Sequence, residues 1–295
     1  MSELTSSYAY CRRITRRASS TFYLASLLFD APTRRDIQTL YAFCRIADDI
    51  ADDESLHERD KLNRLQAMKQ AVALRTITPE PIELWPAIWE VIDRYKLPRK
   101  ELKDVLRGVA SDIAFEQPKS IAELDEYSYL VAGVVGELSA RILGASKPAT
   151  FLAAQQLGIA MQYTNIIRDI EPDLTLGRVY IPESVMIEAG VTRKMLEARV
   201  MNDNIMAALE ILAQRADDLY KAAEPGIDDL EAVYRQPVRA AAELYRSILE
   251  RAKQKRYNVF AGRIRLNRLE KLGLVWDIYF PSHRPSSSRP LITKE

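Results

Sequence analysis

The sequence predicts an all-α fold, a single domain of ten or so helices, and three observations carry that prediction. Apolar residues recur at three- and four-residue steps along nearly the whole chain, the spacing that lines one face of a helix. No stretch alternates with a period of two for long enough to argue for a strand. Glycine is sparse, 10 in 295 residues, and prolines fall between the periodic runs as helix punctuation.

Taken in order, a first run covers about 4–28. The second, 36–52, is marked by Ile37, Leu40, Cys44, Ala47 and Ala51, with Pro32 just upstream where a helix start tolerates it. Runs at 58–74 and 82–95 are separated by Pro79 and Pro81, and Pro98 then divides 82–95 from 99–115. Pro118 precedes 121–144 and Pro148 precedes 149–170. The runs 202–223 and 236–256 are divided by Pro225-Gly226, read here as a helix stop. Between them, 171–190 reads as an irregular loop with one short helix, long enough to suspect function. No fixed-period repeat suggests a solenoid. The domain is expected to span 1–280, and the Pro/Ser-rich stretch 281–295 to be a disordered tail.

Composition excludes several classes. Forty-two Lys+Arg against 41 Asp+Glu leave a charge of +1, without the basic footprint of a nucleic-acid binder. Cys11 and Cys44 cannot build a disulfide framework, and with only His57 and His283 beside them they exclude Cys/His zinc sites. A reducing, cytoplasmic setting is expected. No apolar run approaches the ~18–20 residues of a membrane span. Arg16-Arg17 before TFYLASLLF looks like a twin-arginine export signal, but that run merges into a charged helical pattern and is read as helix.

Two carboxylate clusters carry the chemistry. YAFCRIADDIADDE sets Asp48, Asp49, Asp52, Asp53 and Glu54 within one and a half turns, although like charges four apart destabilise a helix. At about 100° per residue, Tyr41, Arg45, Asp48 and Asp52 fall within roughly 60° of one another beside the apolar stripe, while Asp49 and Asp53 turn toward solvent. Carboxylates at a core edge raise one another's pKa or bind a cation. Oxygen ligands without His or Cys favour Mg²⁺, which takes one or two carboxylates and completes its shell with phosphate and water. In IAMQYTNIIRDIEPDL, Gln162, Asn165, Asp169 and Asp173 form a stripe about 80° wide, with Gly158 on the same line and Arg168 well off it. The plain alternatives are a solvated acidic helix end and a polar seam between helices. Facing across a bundle, however, the two clusters would form a cage for divalent ions and a diphosphate. Arg45, Arg178 and Tyr180 are at hand to bind its oxygens.

With Asp48/Asp52 as DxxxD and Asn165/Asp169/Asp173 as NxxxDxxxD, the chain resembles the squalene/phytoene synthase family. The strings YAFCRIADDIADD, YLVAGVVGELSARILG and TNIIRDIEPDLTLGRVYIP carry the same resemblance, which spans about 15–275. DDIAD also satisfies the DDxxD of head-to-tail prenyl elongases, but those carry a second DDxxD where this chain has NxxxDxxxD.

The resemblance implies an all-α isoprenoid-synthase fold with both acidic faces opposed across a central cavity. It implies Mg²⁺ (Mn²⁺ as a substitute) on Asp48, Asp52, Asn165, Asp169 and Asp173, with Asp48, Asp52 and Asp169 as catalytic residues. It places Ser19, Ser20, Thr21, Phe22, Tyr41, Arg45, Tyr129, Gln162, Arg168, Arg178, Tyr180 and Tyr245 against substrate. The implied reaction is head-to-head condensation of two prenyl diphosphates. AGVVG and RVYIP read most like bacterial phytoene synthases, acting on geranylgeranyl diphosphate without NADPH. Dehydrosqualene or presqualene diphosphate synthesis from farnesyl diphosphate is the alternative, and a non-catalytic assembly partner the alternative of another class. Pro172 disfavours helical dihedrals at Glu171 and is expected to leave Asp173 beyond a kink or helix end. The basic stretches Arg251–Arg256 and Arg263–Lys271 are candidates for peripheral contact with anionic lipid, against the simpler reading of a solvated helix face.

Overall fold

The computed structural model describes residues 2–77 and 79–280, so the expected tail at 281–295 lies outside the described residues. Helices and turns make up the described residues, and no strand occurs among them. The first run is two helices, α1 (Glu3–Ala18) and α2 (Ser20–Ser26). Ser19 interrupts them with an extended backbone, and its hydroxyl accepts the Phe22 N–H at 3.2 Å, capping α2. α3 (Ala31–Asp52) starts earlier than its apolar pattern because Asp30 caps it, accepting from Thr33 N–H at 3.2 Å, and Pro32 fits the first turn.

α4 (Glu58–Leu74), α5 (Trp85–Tyr95) and α6 (Arg99–Ser111) follow, then α7 (Ile121–Ser128), a π-helical turn at Tyr129–Gly133, and α8 (Val134–Ile142). α9 (Pro148–Arg168) leads into three short helices, α10 (Ile170–Thr175), α11 (Glu183–Ala189) and α12 (Arg193–Glu197), the first two in the segment 171–190 where one short helix in a loop was expected. α13 (Asp203–Asp228) runs straight through Pro225, so Pro225-Gly226 is not a stop. Gly226 instead brings α13 onto α9: a Cβ there would lie 2.1 Å from the Ala153 Cβ. α14 (Ala232–Gln254) and α15 (Arg268–Tyr279) complete the chain, the last without a predicted counterpart.

Two apolar cores divide the molecule. One gathers α1, α3 to α6 and α8 around Phe43, Met68, Trp85 and Leu138; the other gathers α9, α13 and α14 around Tyr163, Leu209, Leu212 and Leu244. α3 and α9 are the facing walls between them. A small third cluster, Phe29, Leu143 and Leu230, joins the start of α3 to the ends of α8 and α13. These three side chains also line the space between the cores.

Helix α8 and its π-turn lie backbone to backbone on α9. A Cβ on Gly136 would sit 2.1 Å from the Ala154 carbonyl oxygen, and one on Gly158 2.3 Å from that of Ala132. Only glycine permits this approach.

Candidate active site

A cavity of about 820 Å³ runs between the two walls. Asp48 and Asp52 enter it from the last turns of α3, Gln162, Asn165 and Asp169 from the end of α9, and Asp173 from α10. The two acidic faces therefore share one chamber; burial is the chief cause of the raised pKa of Asp173, and Asp52 on the opposite wall adds a smaller repulsion.

The helix break lies at Asp169, not at Pro172. Proline cannot donate to the Arg168 carbonyl and its ring clashes with it, so α9 ends one turn before the proline. Asp169 N–H still bonds Asn165 O at 2.8 Å, and Asp173 N–H bonds Asp169 O at 2.9 Å, so the chain re-enters helix at once. Asp173 is thus carried into the cavity.

Burial pushes Asp48 up to about 8, with Asp112 and Asp52 adding repulsion that Arg45 partly offsets. Burial pushes Asp173 to about 8 as well, with Asp169 adding and Arg178 opposing. Asp169 differs. Burial raises its pKa, but Arg168 and Arg263 win and hold it below the usual carboxylate value. Arg263 is bidentate on it, at 2.9 and 3.1 Å, and Arg168 grips both oxygens from the adjacent position.

Arg178 bridges the two halves of the site. Its guanidinium donates to Asp52 Oδ1 at 2.7 Å and to the Asp112 carbonyl at 3.1 Å, and it is only 8% exposed. Asp112, one residue past α6, accepts from Tyr180 OH at 2.8 Å and Tyr127 OH at 3.1 Å, and burial lifts its pKa to about 6. The Tyr127 and Tyr180 rings stack at 5.1 Å, as do Phe22 and Tyr41 at 4.3 Å.

The donor set suits a hard divalent cation: four carboxylates and one amide, no His or Cys ligand, and half-buried Asp48 and Asp173 whose pKa values desolvation raises. Among the described residues no three of His, Cys, Asp or Glu converge to hold a metal ion alone. Arg16, Arg17, Arg45, Arg168, Arg178, Arg263, Arg265 and Lys271 outnumber the carboxylates in the lining and supply the countercharge.

The family model described as squalene/phytoene synthase matches residues 15–270. This chain belongs to the squalene/phytoene synthase family. Within the family it is 31% identical over 276 residues to the 15-cis-phytoene synthase of Synechococcus elongatus, covering 89% of each chain. It is 31% identical over 301 residues to a chloroplastic phytoene synthase of an Oncidium hybrid cultivar, covering 99% of this chain and 72% of that one. Among solved structures it is similar to a ligand-bound dehydrosqualene synthase, at 30% identity and a TM-score of 0.83, over 95% of this chain and 99% of that one. As a member of this family it is a prenyltransferase.

Nearly every residue that the sequence nominated in this family member lines the cavity: Ser19, Ser20, Thr21, Phe22, Tyr41, Arg45, Gln162, Arg168, Arg178, Tyr180 and Tyr245, with the acidic set. Arg168, off the acidic stripe by helical arithmetic, reaches the cavity because it pairs with Asp169 at the break. Tyr129 is the exception. It opens the π-turn with its ring against Gly133 and its charged neighbours Glu137 and Lys100, outside the cavity lining, and Tyr127 occupies the wall instead.

Sequence reasoning missed Asp112, Tyr127, Arg263, Arg265 and Lys271. Asp112 continues the buried stripe Leu102, Val105, Val109 at the same spacing, so an acid on an apolar face was there to be read. Arg263, Arg265 and Lys271 were assigned to an outward basic stretch, but they line the cavity. Arg251 and Lys253 from the other basic stretch are paired with Glu270 and with Asp217 and Glu250. Lys255 and Arg256 of that stretch stay exposed.

Proposed function

We propose that this chain condenses two geranylgeranyl diphosphates head to head into phytoene, through a cyclopropylcarbinyl diphosphate and without a reductant. The observation that carries the reading is a cavity acidic and cationic at one end and apolar for the rest of its length. From Asp169 to Thr150 along α9 is 19 residues, about 28 Å, and from Asp52 to Ile37 along α3 about 22 Å, at 1.5 Å per residue. An extended chain advances about 1.2 Å per backbone bond, so a geranylgeranyl main chain needs about 19 Å and a farnesyl one about 14 Å.

Asp48, Asp52, Asn165, Asp169 and Asp173 would hold Mg²⁺ or Mn²⁺, which when bound neutralises and polarises diphosphate oxygens. Arg45, Arg178 and Arg263 receive the departing diphosphate through charge-assisted hydrogen bonds. Departure leaves an allylic cation, which the stacked faces of Phe22 and Tyr41 stabilise. Walls of Val131, Val135, Leu157 and Ile248 keep water from it. The double bond of the second substrate attacks, and proton loss closes the cyclopropane. Loss of the second diphosphate, ring opening and a final proton loss then give the linear hydrocarbon.

The similarity to a dehydrosqualene synthase supports a second reading, the same chemistry on farnesyl diphosphate. Chromatography of products from each diphosphate, with and without NADPH and with EDTA as control, decides between them. Phytoene from the 20-carbon substrate alone supports the first reading, and a 30-carbon product from farnesyl diphosphate alone overturns it. Absence of metal-dependent diphosphate release from either substrate would overturn both and favour a non-catalytic partner role. Asp48→Ala and Asp169→Ala are expected to remove the first half-reaction with folding retained; an unchanged rate in either takes that residue out of the site.

A further inference from the structure

We infer that α15 is a membrane-docking helix that sets the mouth of the cavity against an anionic lipid surface. The cavity-lining residues exposed to solvent lie at the end of α1 (Arg16, Arg17, Ala18), at Ser20 and in the segment before α15 (Arg263, Arg265), which locates the opening. Lys271 of α15 is buried there and donates to Ser20 Oγ at 2.8 Å. Leu274 and Val275 pack onto the core behind it. That is the inward face.

The outward face is apolar. Leu269, Leu272, Trp276, Tyr279 and Phe280 are each between 37% and 79% exposed. At 100° per residue they fall within a stripe about 100° wide, which contains no charged residue. The Trp276 and Phe280 rings pack against one another, tilted by 35° with centroids 4.3 Å apart, making one aromatic surface. Monomeric proteins seldom leave such a patch uncovered without a partner.

Charge identifies the partner. Exposed Arg268 lies at the edge of the stripe on α15 itself, exposed Arg265 just precedes the helix, and exposed Arg16 and Arg17 line the cavity at its opening. A short helix with aromatic and leucine residues on one face and arginines beside it lies in the interface of an anionic bilayer. No described helix is long and apolar enough to cross a membrane, and the docking proposed is interfacial. The purpose of the contact rests on the proposed reaction: long prenyl chains enter, and a longer hydrocarbon leaves, without passing through water.

The test is flotation of the full chain, without substrate, on phosphatidylcholine vesicles with and without phosphatidylglycerol. Binding to the anionic vesicles that weakens with salt is expected, with a blue shift of tryptophan emission. Trp85 and Trp89 are already buried, so the shift reports Trp276. Leu272→Ser together with Trp276→Ser should lower partitioning at least ~tenfold, and Leu272→Ser alone should shrink the blue shift. Arg268→Gln should weaken binding to the anionic vesicles only. Wild-type chain that ignores the vesicles, or a double variant that floats as well as wild type, overturns the proposal. So does a dimer that the double variant abolishes in the absence of vesicle binding, which would assign the face to a second copy. A shift of Trp276 emission on deleting 281–295, without vesicles, would assign it to the chain's own end. Turnover in detergent, assayed separately, fails only if the proposed reaction fails.

Discussion

Replacing Ala154 with Phe should convert the proposed 20-carbon enzyme into one that accepts only shorter chains. Ala154 lies in the cavity wall on α9, 15 residues before Asp169, or about 22 Å from it along the helix. With about 4 Å for the diphosphate, a geranylgeranyl group reaches about 23 Å and a farnesyl group about 18 Å, at the same advance per bond. The new ring leans toward the start of α9, as helical side chains do, and meets the last isoprene unit of the longer chain alone. Displacing five carbons at about 0.8 kcal/mol each forfeits about 4 kcal/mol, on the order of 100- to 1000-fold in kcat/KM. The assay is the ratio of kcat/KM for the two diphosphates, with circular dichroism and Tm to confirm folding. A folded variant that keeps the wild-type ratio would refute the idea that the length of cavity between the aspartates and Ala154 measures the substrate.

Three further outcomes follow from the same structure. Asp48 and Asp173 bind protons up to about pH 8 when folded but only to about pH 4 when unfolded, so the unfolded chain holds fewer protons in between. The Tm of EDTA-treated protein should therefore fall as pH rises from about 4 to 8, and Mg²⁺ with diphosphate should restore most at the high end; a flat profile contradicts the burial of these carboxylates. Tyr127→Phe breaks the hydrogen bond to Asp112 and should lower kcat about tenfold or more, whereas Tyr129→Phe should leave kcat and KM within about twofold. Equal losses would mean that the cavity wall is drawn wrongly. Gly158→Ala forces α9 off the π-turn and should cost ~2–3 kcal/mol, read as a Tm drop of several degrees; an unchanged Tm would show that the two backbones are not in contact.

Most helices were legible because their apolar spacing and proline punctuation agree, as at Pro98 and Pro148. The breaks were not. Ser19 carries a local cap signal ahead of TFYLASLLF, but the helical spacing on either side of it reads as one run, 4–28, which hid the break. Pro225 illustrates the opposite failure: a strong local stop signal gave way to packing, because α13 gains more by lying along α9 than it loses at one missing hydrogen bond.

The acidic faces were readable since each carboxylate stands beside an apolar stripe of its own helix. The cations from 263–271 were not, because they come from a segment far along the chain and reach the cavity only through the packing of α14 and α15. Tyr127 and Tyr129 differ by two residues, about 200° on a helix, so one of them had to face away, and the π-turn hid which.

The break at Asp169 has a consequence for how such an enzyme diversifies. The acidic and cationic groups gather at the end of α3, where α9 gives way to α10 and where α1 gives way to α2, while the first half of α9 lines the cavity mainly with small and apolar side chains. Alterations at the far end can change the length of what is joined without disturbing how it is joined. One scaffold can thus yield a series of products from a single reactive head.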